Sequence, residues 1–128
     1  MKFYIGSGFK NFELVNIVSE KLIDLGHVHT YNWAENIIED ETIEDMIRAS
    51  ELEKQAIIDS DVVIIILPAG RGTHIELGMA LALNKKVYLY SKDGKDFELE
   101  NTVPSYEIPE ITKVTGNIND LVEKINIS

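Results

Sequence analysis

The sequence predicts a single-domain, three-layer α/β/α fold over residues 1–128, built on a mostly parallel five-stranded sheet. Three observations predict it. Short apolar segments alternate with stretches of helical periodicity along the whole chain, the pattern of βαβ units. Residues 62–67 are continuously apolar, with no polar alternation, as expected of a central parallel strand covered on both faces. Small-residue turns, Gly6-Ser7-Gly8 and Gly70-Arg71-Gly72, stand where two of the strands give way to helices.

Each element has its own signal. Residues 2–5 form a short, mostly apolar strand that ends in the first glycine turn. Phe12, Val15, Val18, Leu22 and Leu25 recur at helical spacing, so residues 12–25 form a helix that Gly26 stops. Residues 27–33 hold β-branched and aromatic side chains and read as a second strand, followed by an acidic loop or frayed turn over 34–42. Ile43, Met46, Ile47 and Ile57 mark one side of a helix over 43–59. After the central strand a helix is expected over 73–83, then a strand over 87–90 and a polar surface loop over 92–104. Residues 111–114 are a candidate fifth strand and 118–125 a short closing helix. The ensemble is a Rossmann/flavodoxin-like sheet, whose ligands bind outside the carboxyl ends of the strands.

Composition removes several function classes. The net charge is −10 and only two arginines, Arg48 and Arg71, are present, so no basic stripe exists for a nucleic-acid backbone or an anionic membrane surface. The longest apolar run, residues 62–68, falls far short of the ~20 residues of a membrane span. The start of the chain has no signal-peptide hydrophobic region. Absence of cysteine excludes disulfides, thiolate metal sites and thiol nucleophiles, and fits a cytoplasmic location. His27 and His29 alternate on one strand face, but with no third ligand near in sequence we expect no metal, and no cofactor motif is visible.

The candidate site centres on residues 70–76. Gly70 and Gly72 let the backbone approach a ligand and adopt dihedrals closed to other residues, and the helix start offers free amides and a positive dipole end. Glu76 has two readings. Thr73-x-x-Glu76 is a capping box, in which Thr73 caps the helix and Glu76 reaches back to its amide. Alternatively Glu76 is a carboxylate nucleophile, kept ionised by the helix dipole. The loop Tyr4-Ile5-Gly6-Ser7-Gly8 would share the same sheet edge, and Tyr31, Asn32 and Trp33 would close the second strand there. Glu53, on the preceding helix, is either a solvated carboxylate or a second acid. Arg71 could hold a phosphate, and His74 could line the site or face solvent.

Three stretches carry a family resemblance: Phe3-Tyr4-Ile5-Gly6-Ser7-Gly8, Leu25-Gly26-His27 through Trp33, and Glu53 through Asp61 to Gly72-Thr73-His74-Ile75-Glu76-Leu77-Gly78-Met79-Ala80. With these the chain resembles the nucleoside 2-deoxyribosyltransferase family, including its nucleotide N-glycosidase branch, over roughly residues 2–90. The resemblance implies cleavage or transfer at the N-glycosidic bond of a nucleoside or nucleoside 5′-monophosphate. It implies Glu76 as nucleophile, Tyr4 as its orienting partner and Glu53 where the family usually has an Asp acting on the base. Gly6, Ser7, Gly8, Asn32, Trp33, Gly70, Arg71, Gly72 and Thr73 would contact substrate. It also implies a homodimer or larger assembly in which neighbouring subunits complete each site. Pro68 to Glu76 is similar, too, to the Pro-Gly-Gly-x-Gly-Thr-x-x-Glu motif of cytokinin-activating phosphoribohydrolases, with Ala69 in place of one glycine. A non-catalytic nucleotide-binding or sensing module on the same fold is the remaining alternative.

Overall fold

The computed structural model describes residues 1–127. Its elements follow the order β1 (Lys2–Ser7), α1 (Phe12–Asp24), β2 (Val28–His29), α2 (Ile43–Asp59), β3 (Val62–Ile66), α3 (Arg71–Ala82), β4 (Lys86–Tyr90), β5 (Ile111–Val114) and α4 (Ile118–Asn126). All strands are parallel and lie in the order β2-β1-β3-β4-β5, the flavodoxin-like arrangement. The sequence reversal in this order falls at β1 and β3, so ligands are expected over their carboxyl ends.

The period of two along each strand sorts side chains into two cores. Phe3, Ile5, Val62, Ile64, Ile66, Tyr88 and Tyr90 pack on one face with α1 and α4 residues such as Val18, Leu22, Leu121 and Ile125. Tyr4, Val63, Ile65, Val87 and Leu89 pack on the other with Ala56, Ile57, Leu77 and Ala80 of α2 and α3. This is why residues 62–67 show no alternation: every position of β3 is buried. Tyr4 belongs to the second face, the one that α2 and α3 cover.

Two boundaries differ from expectation, each for a local reason. The second strand is only two residues long, not seven. Past His29 the chain makes one further backbone bond to β1, from the Thr30 amide to the Phe3 carbonyl at 2.9 Å, and then turns. Asn32 takes over there: its side-chain oxygen accepts from the Ala34 amide at 3.0 Å and starts a 3-10 turn over Trp33–Glu35. A side chain that bonds its own backbone competes with the strand ladder. The other difference is at α3, which begins at Arg71 with Gly70 as its N-cap, two residues before Thr73. α2 behaves in the opposite way: Thr42 and Asp45 form a true capping box at its start, with bonds of 3.1 and 2.9 Å.

His27 and His29 take unrelated partners. His27 lies between the Met1 amino group and Asn126, at 3.0 and 2.8 Å. His29 stacks on Phe3 with ring centroids 4.5 Å apart and meets the Ser19 hydroxyl at 2.8 Å through Nδ1. Its Nε2 is buried without a hydrogen-bond partner. Among the described residues no three His, Asp or Glu side chains converge as a metal site would require, and no helix is long and apolar enough to cross a membrane.

Burial lowers the His29 pKa to about 4. The unfolded chain, with an ordinary imidazole near 6.5, takes up the proton first as pH falls. The stabilisation is therefore complete above about pH 6.5 and is lost between there and about pH 4, a swing of up to ~3 kcal/mol. Urea denaturation between pH 7 and 4 should show this loss in the wild type and a flatter profile in His29→Gln, which keeps a partner for Ser19.

Candidate active site

The site is assembled where the tip of β1 meets the start of α3. Thr73 Oγ1 donates to the Ser7 carbonyl at 2.9 Å, and Ser7 Oγ donates to the Ile66 carbonyl at 2.7 Å. The Gly8 amide donates to the Pro68 carbonyl at 3.1 Å, and Asn11 Nδ2 bonds both Ser7 Oγ and the Pro68 carbonyl. These bonds join the loop after β1 to the loop after β3 and leave α3 in one position. Two glycines make the approach possible. A Cβ on Gly8 would lie 2.8 Å from the Pro68 carbonyl oxygen, and one on Gly6 would lie 3.0 Å from Ile65 and 3.1 Å from Glu76 Oε1.

Glu76 lies in the second turn of α3, beyond the capping positions, and it does not reach back to Thr73. The capping-box reading is corrected: with Gly70 as N-cap, Thr73 sits inside the first turn and its hydroxyl serves Ser7. Glu76 is thus released to face the sheet, where Tyr4 OH donates to its Oε2 at 3.1 Å. Glu53, on α2, lines the same cleft, near enough for its charge to act on Glu76. Among the described residues no cation contributes to the shift of either carboxyl. Burial, and then the Glu53 charge, push the Glu76 pKa up to about 8. Burial also raises Glu53, and burial with the Glu76 charge holds the Tyr4 phenol firmly protonated. At neutral pH Glu76 therefore keeps its proton, and two acids so placed titrate as a pair. The phenol of Tyr4 favours the ionised form of Glu76, opposing the other influences.

Over this trio opens a cleft of about 590 Å³. Its floor is Tyr4, Ser7, Thr73 and Glu76, and its aromatic wall is Tyr31 and Trp33. Its far side comes from the segment before α2 and from α2 itself, including Ile37, Ile38, Asp40, Met46 and Glu53. Trp33 is fixed in the wall because its Nε1 donates to the Ile5 carbonyl at 2.8 Å. It offers a ring face, and no free N–H, to whatever enters.

The structure brings together Tyr4, Ser7, Trp33, Glu53, Gly72, Thr73 and Glu76 from the sequence-predicted set; Gly6 lies against Glu76 beneath them. Gly8, Asn32, Gly70 and Arg71 are not in the lining. Asn32 is engaged elsewhere, donating to Asn16 Oδ1 at 2.8 Å while it caps the turn. Arg71 is exposed on the outer side of the first turn of α3. Gly70 and Gly72 do not occupy the left-handed region, and an added Cβ at either would meet open space. His74 faces away from the cleft: Nδ1–H donates to the Gly70 carbonyl at 2.7 Å, and Nε2 accepts from Tyr106 OH at 2.6 Å. Sequence reasoning missed the far wall. Ile37, Ile38, Met46, Ala49 and Met79 carry no motif, and only the helical spacing of α2 hinted that one of its faces stays open.

An open parallel sheet with a carboxylate pair and a phenol at its switch point defines an α/β enzyme site for a small molecule. The sequence profile of the nucleoside 2-deoxyribosyltransferase family matches residues 4–121. The chain belongs to that family, whose enzymes act by glycosyl transfer or hydrolysis at a base–sugar bond. Solved structures share the fold. A 2-deoxyribosyltransferase from Bacillus psychrosaccharolyticus superposes with a TM-score of 0.74 at 24% identity, covering 95% of this chain and 90% of that one. A CMP N-glycosidase from Clostridium botulinum gives 0.68 at 17% identity, covering 98% and 99%. A conserved protein from Enterococcus faecalis gives 0.64 at 17%, covering 99% and 98%. A comparison with curated protein sequences gives no match.

Because folded Glu76 keeps its proton to higher pH than the unfolded chain does, the wild type loses stability as pH rises from the ordinary glutamate range to about 8. Glu76→Gln removes that loss. Its Tm should exceed that of the wild type, with the gap widening from pH 5 to pH 9 by on the order of several °C, measured by differential scanning fluorimetry.

Proposed function

We propose that this protein cleaves the N-glycosidic bond of a nucleoside or nucleotide by double displacement, with Glu76 as nucleophile and Glu53 as proton donor. The observation that carries the proposal is the trio itself: two half-buried carboxyls, both with raised pKa values, and a buried phenol, at a cleft large enough for a base and a sugar. Such a pair has no purpose in stabilising the fold, since taking two carboxyls partly out of water costs free energy.

The chemistry follows from the charges. As the bond breaks, the sugar takes on oxocarbenium character and the base takes the electron pair. An ionised Glu76 oxygen beneath the ring stabilises the positive carbon and then bonds to it, giving a glycosyl-enzyme ester. The proton that Glu76 carries in the resting site passes to Glu53 and from there to the departing base, so that Glu76 is a nucleophile and Glu53 an acid in the same step. Tyr4 keeps its proton and holds Glu76 Oε2 by donation, which orients the other oxygen toward the substrate. In the second half-reaction water, or the nitrogen of a second base, attacks the same carbon. Glu76 departs as a carboxylate and Glu53 takes up the attacking group's proton. Tyr31 and Trp33 supply flat apolar surface on which a base can stack.

We further propose that a second copy of the chain closes the mouth. The cleft continues outward into exposed apolar side chains: Ile38 at 50%, Ile43 at 68%, Ile47 at 54% and Ile75 at 63% exposure. Monomers seldom leave such a patch beside a binding site unless something covers it. Light scattering should give a dimer or larger, and Ile43→Lys with Ile47→Lys should give a monomer with reduced activity.

The activity test incubates the protein with nucleosides and their 5′-monophosphates, with and without a second base, and follows free or exchanged base by chromatography. Turnover is expected on at least one substrate, with a sugar-sized mass adduct on Glu76 after acid quench. Glu76→Gln should lose about a thousandfold or more in rate. Full turnover by Glu76→Gln ends the assignment, and ligand binding without base release points to the sensing module instead.

The pH profile provides a separate check. Above about pH 8 the pair loses its shared proton, so base release should decline there. Glu53→Gln should abolish that alkaline decline and lower the plateau by roughly 10²–10⁴-fold. A profile unchanged by Glu53→Gln removes Glu53 from the acid role.

A further inference from the structure

The helix that carries Glu76 starts without a side-chain cap. α2 and α4 each begin with a capping box, Thr42 with Asp45 and Asn117 with Asp120. α3 begins at Gly70, which has no side chain to offer its first turn. The first intrahelical bond of α3, His74 N to Gly70 O, is 3.2 Å long. Gly72, in the same turn, lowers the local preference for helix. A start of this kind frays unless something else holds it. Yet Gly72 and Thr73, both in this turn, line the cleft.

The imidazole of His74 supplies a hold. Its Nδ1–H donates to the same Gly70 carbonyl at 2.7 Å, closer than the helical bond that ends there. Its Nε2 meets the Tyr106 hydroxyl at 2.6 Å, and the two rings lie nearly parallel with centroids 5.9 Å apart. Tyr106 is itself fixed, buried in the core that α2 and α3 cover and edge-on to Phe97. His74 is exposed and outside the cleft lining. Ordering an exposed ring costs side-chain entropy, so the yield of these bonds lies in the position of what they hold. Thr73 holds the same turn from the sheet side, through the Ser7 carbonyl at 2.9 Å. Successive residues point about 100° apart around a helix, so the two holds act in different directions. One alone would let the turn swing about it.

We propose that His74 and Tyr106 are positioning residues for the reaction. The chain from hydroxyl to imidazole to carbonyl stands in for the missing cap and keeps the first turn of α3 in place, with Glu76 in the turn that follows. This rests on the reading of Glu76 as the nucleophile.

Three substitutions separate this role from one in the fold alone. Tyr106→Phe removes one oxygen and keeps the buried ring. His74→Ala removes the exposed ring and leaves the core untouched. His74→Gln offers Tyr106 an amide oxygen in place of Nε2. The first readout is steady-state base release. In Tyr106→Phe and His74→Ala, kcat should fall by roughly 10- to 100-fold, as misplaced reacting groups cost, while KM stays within about threefold. KM is spared because Tyr31 and Trp33, the aromatic wall, stand on other elements. The double variant should lose no more than the worse single one, since both break the same chain. His74→Gln should recover part of what His74→Ala loses. The second readout needs no turnover. Amides of residues 74–76 should exchange hydrogen about tenfold faster in both single variants, with those of α4 unchanged.

A kcat within about twofold of the wild type in both single variants overturns the proposal, whatever happens to Tm. So do losses that multiply in the double variant, or unchanged exchange in the turn. If the wild type releases no base, the cleavage reading fails, and exchange alone decides whether the pair holds the turn.

Discussion

The knot between the tip of β1 and the start of α3 governs the rest of this structure. One threonine hydroxyl, one serine hydroxyl, one asparagine amide and one glycine amide join two segments through bonds that span 57 to 66 residues of sequence. Every one of those bonds ends on a backbone carbonyl that would otherwise be left at a strand end. The knot therefore satisfies the polar groups that a parallel sheet leaves at its carboxyl edge. In doing so it sets the rotation of α3. With that rotation set, Glu76 turns inward over Gly6 and against Tyr4, rather than outward along the helix surface.

A buried carboxylate needs a compensating group, and here the compensation is another acid. Tyr4 and Glu53 make Glu76 tolerable in two different protonation states, which is what a group that must be first a nucleophile and then a leaving group requires. A lysine or arginine in place of Glu53 would bury the charge more comfortably and would remove the donor from the departing base. The fold thus holds a less stable arrangement at one point of an otherwise apolar layer formed by Val63, Ile65, Leu77, Ala80 and Leu89. That dense layer is what keeps the trio in register.

Much of this was legible in the sequence. The fold class, the continuous apolar strand, α2 from 43 to 59 and β5 from 111 to 114 followed from periodicity, because packing on both faces of a sheet imposes a pattern that local chemistry does not disturb. Glu76, Tyr4 and Glu53 could be singled out by family resemblance and do converge. What failed did so for local reasons. The register of α3 depended on Gly70 acting as cap, and Thr73-x-x-Glu76 satisfies the capping pattern equally well when displaced by three residues. Asn32 carries the same letters whether it faces a ligand or caps a turn. The far wall of the cleft was illegible because Ile37, Ile38 and Met46 look like any apolar residues until the position of α2 shows that nothing in the chain covers them.

His74 introduces a dependence that the sheet alone would not have. Its ring ties the first turn of α3 to Tyr106, and Tyr106 packs edge-on against Phe97. The long excursion between β4 and β5 is thus tied through this imidazole to the helix that carries Glu76. Residues 91–110 make little of the sheet, so drift in that segment is cheap for the fold. It is not cheap for the helix: a change there pulls on Gly70 through two hydrogen bonds. Relatives can therefore diverge in catalytic behaviour by altering a surface loop while every residue of the cleft stays the same.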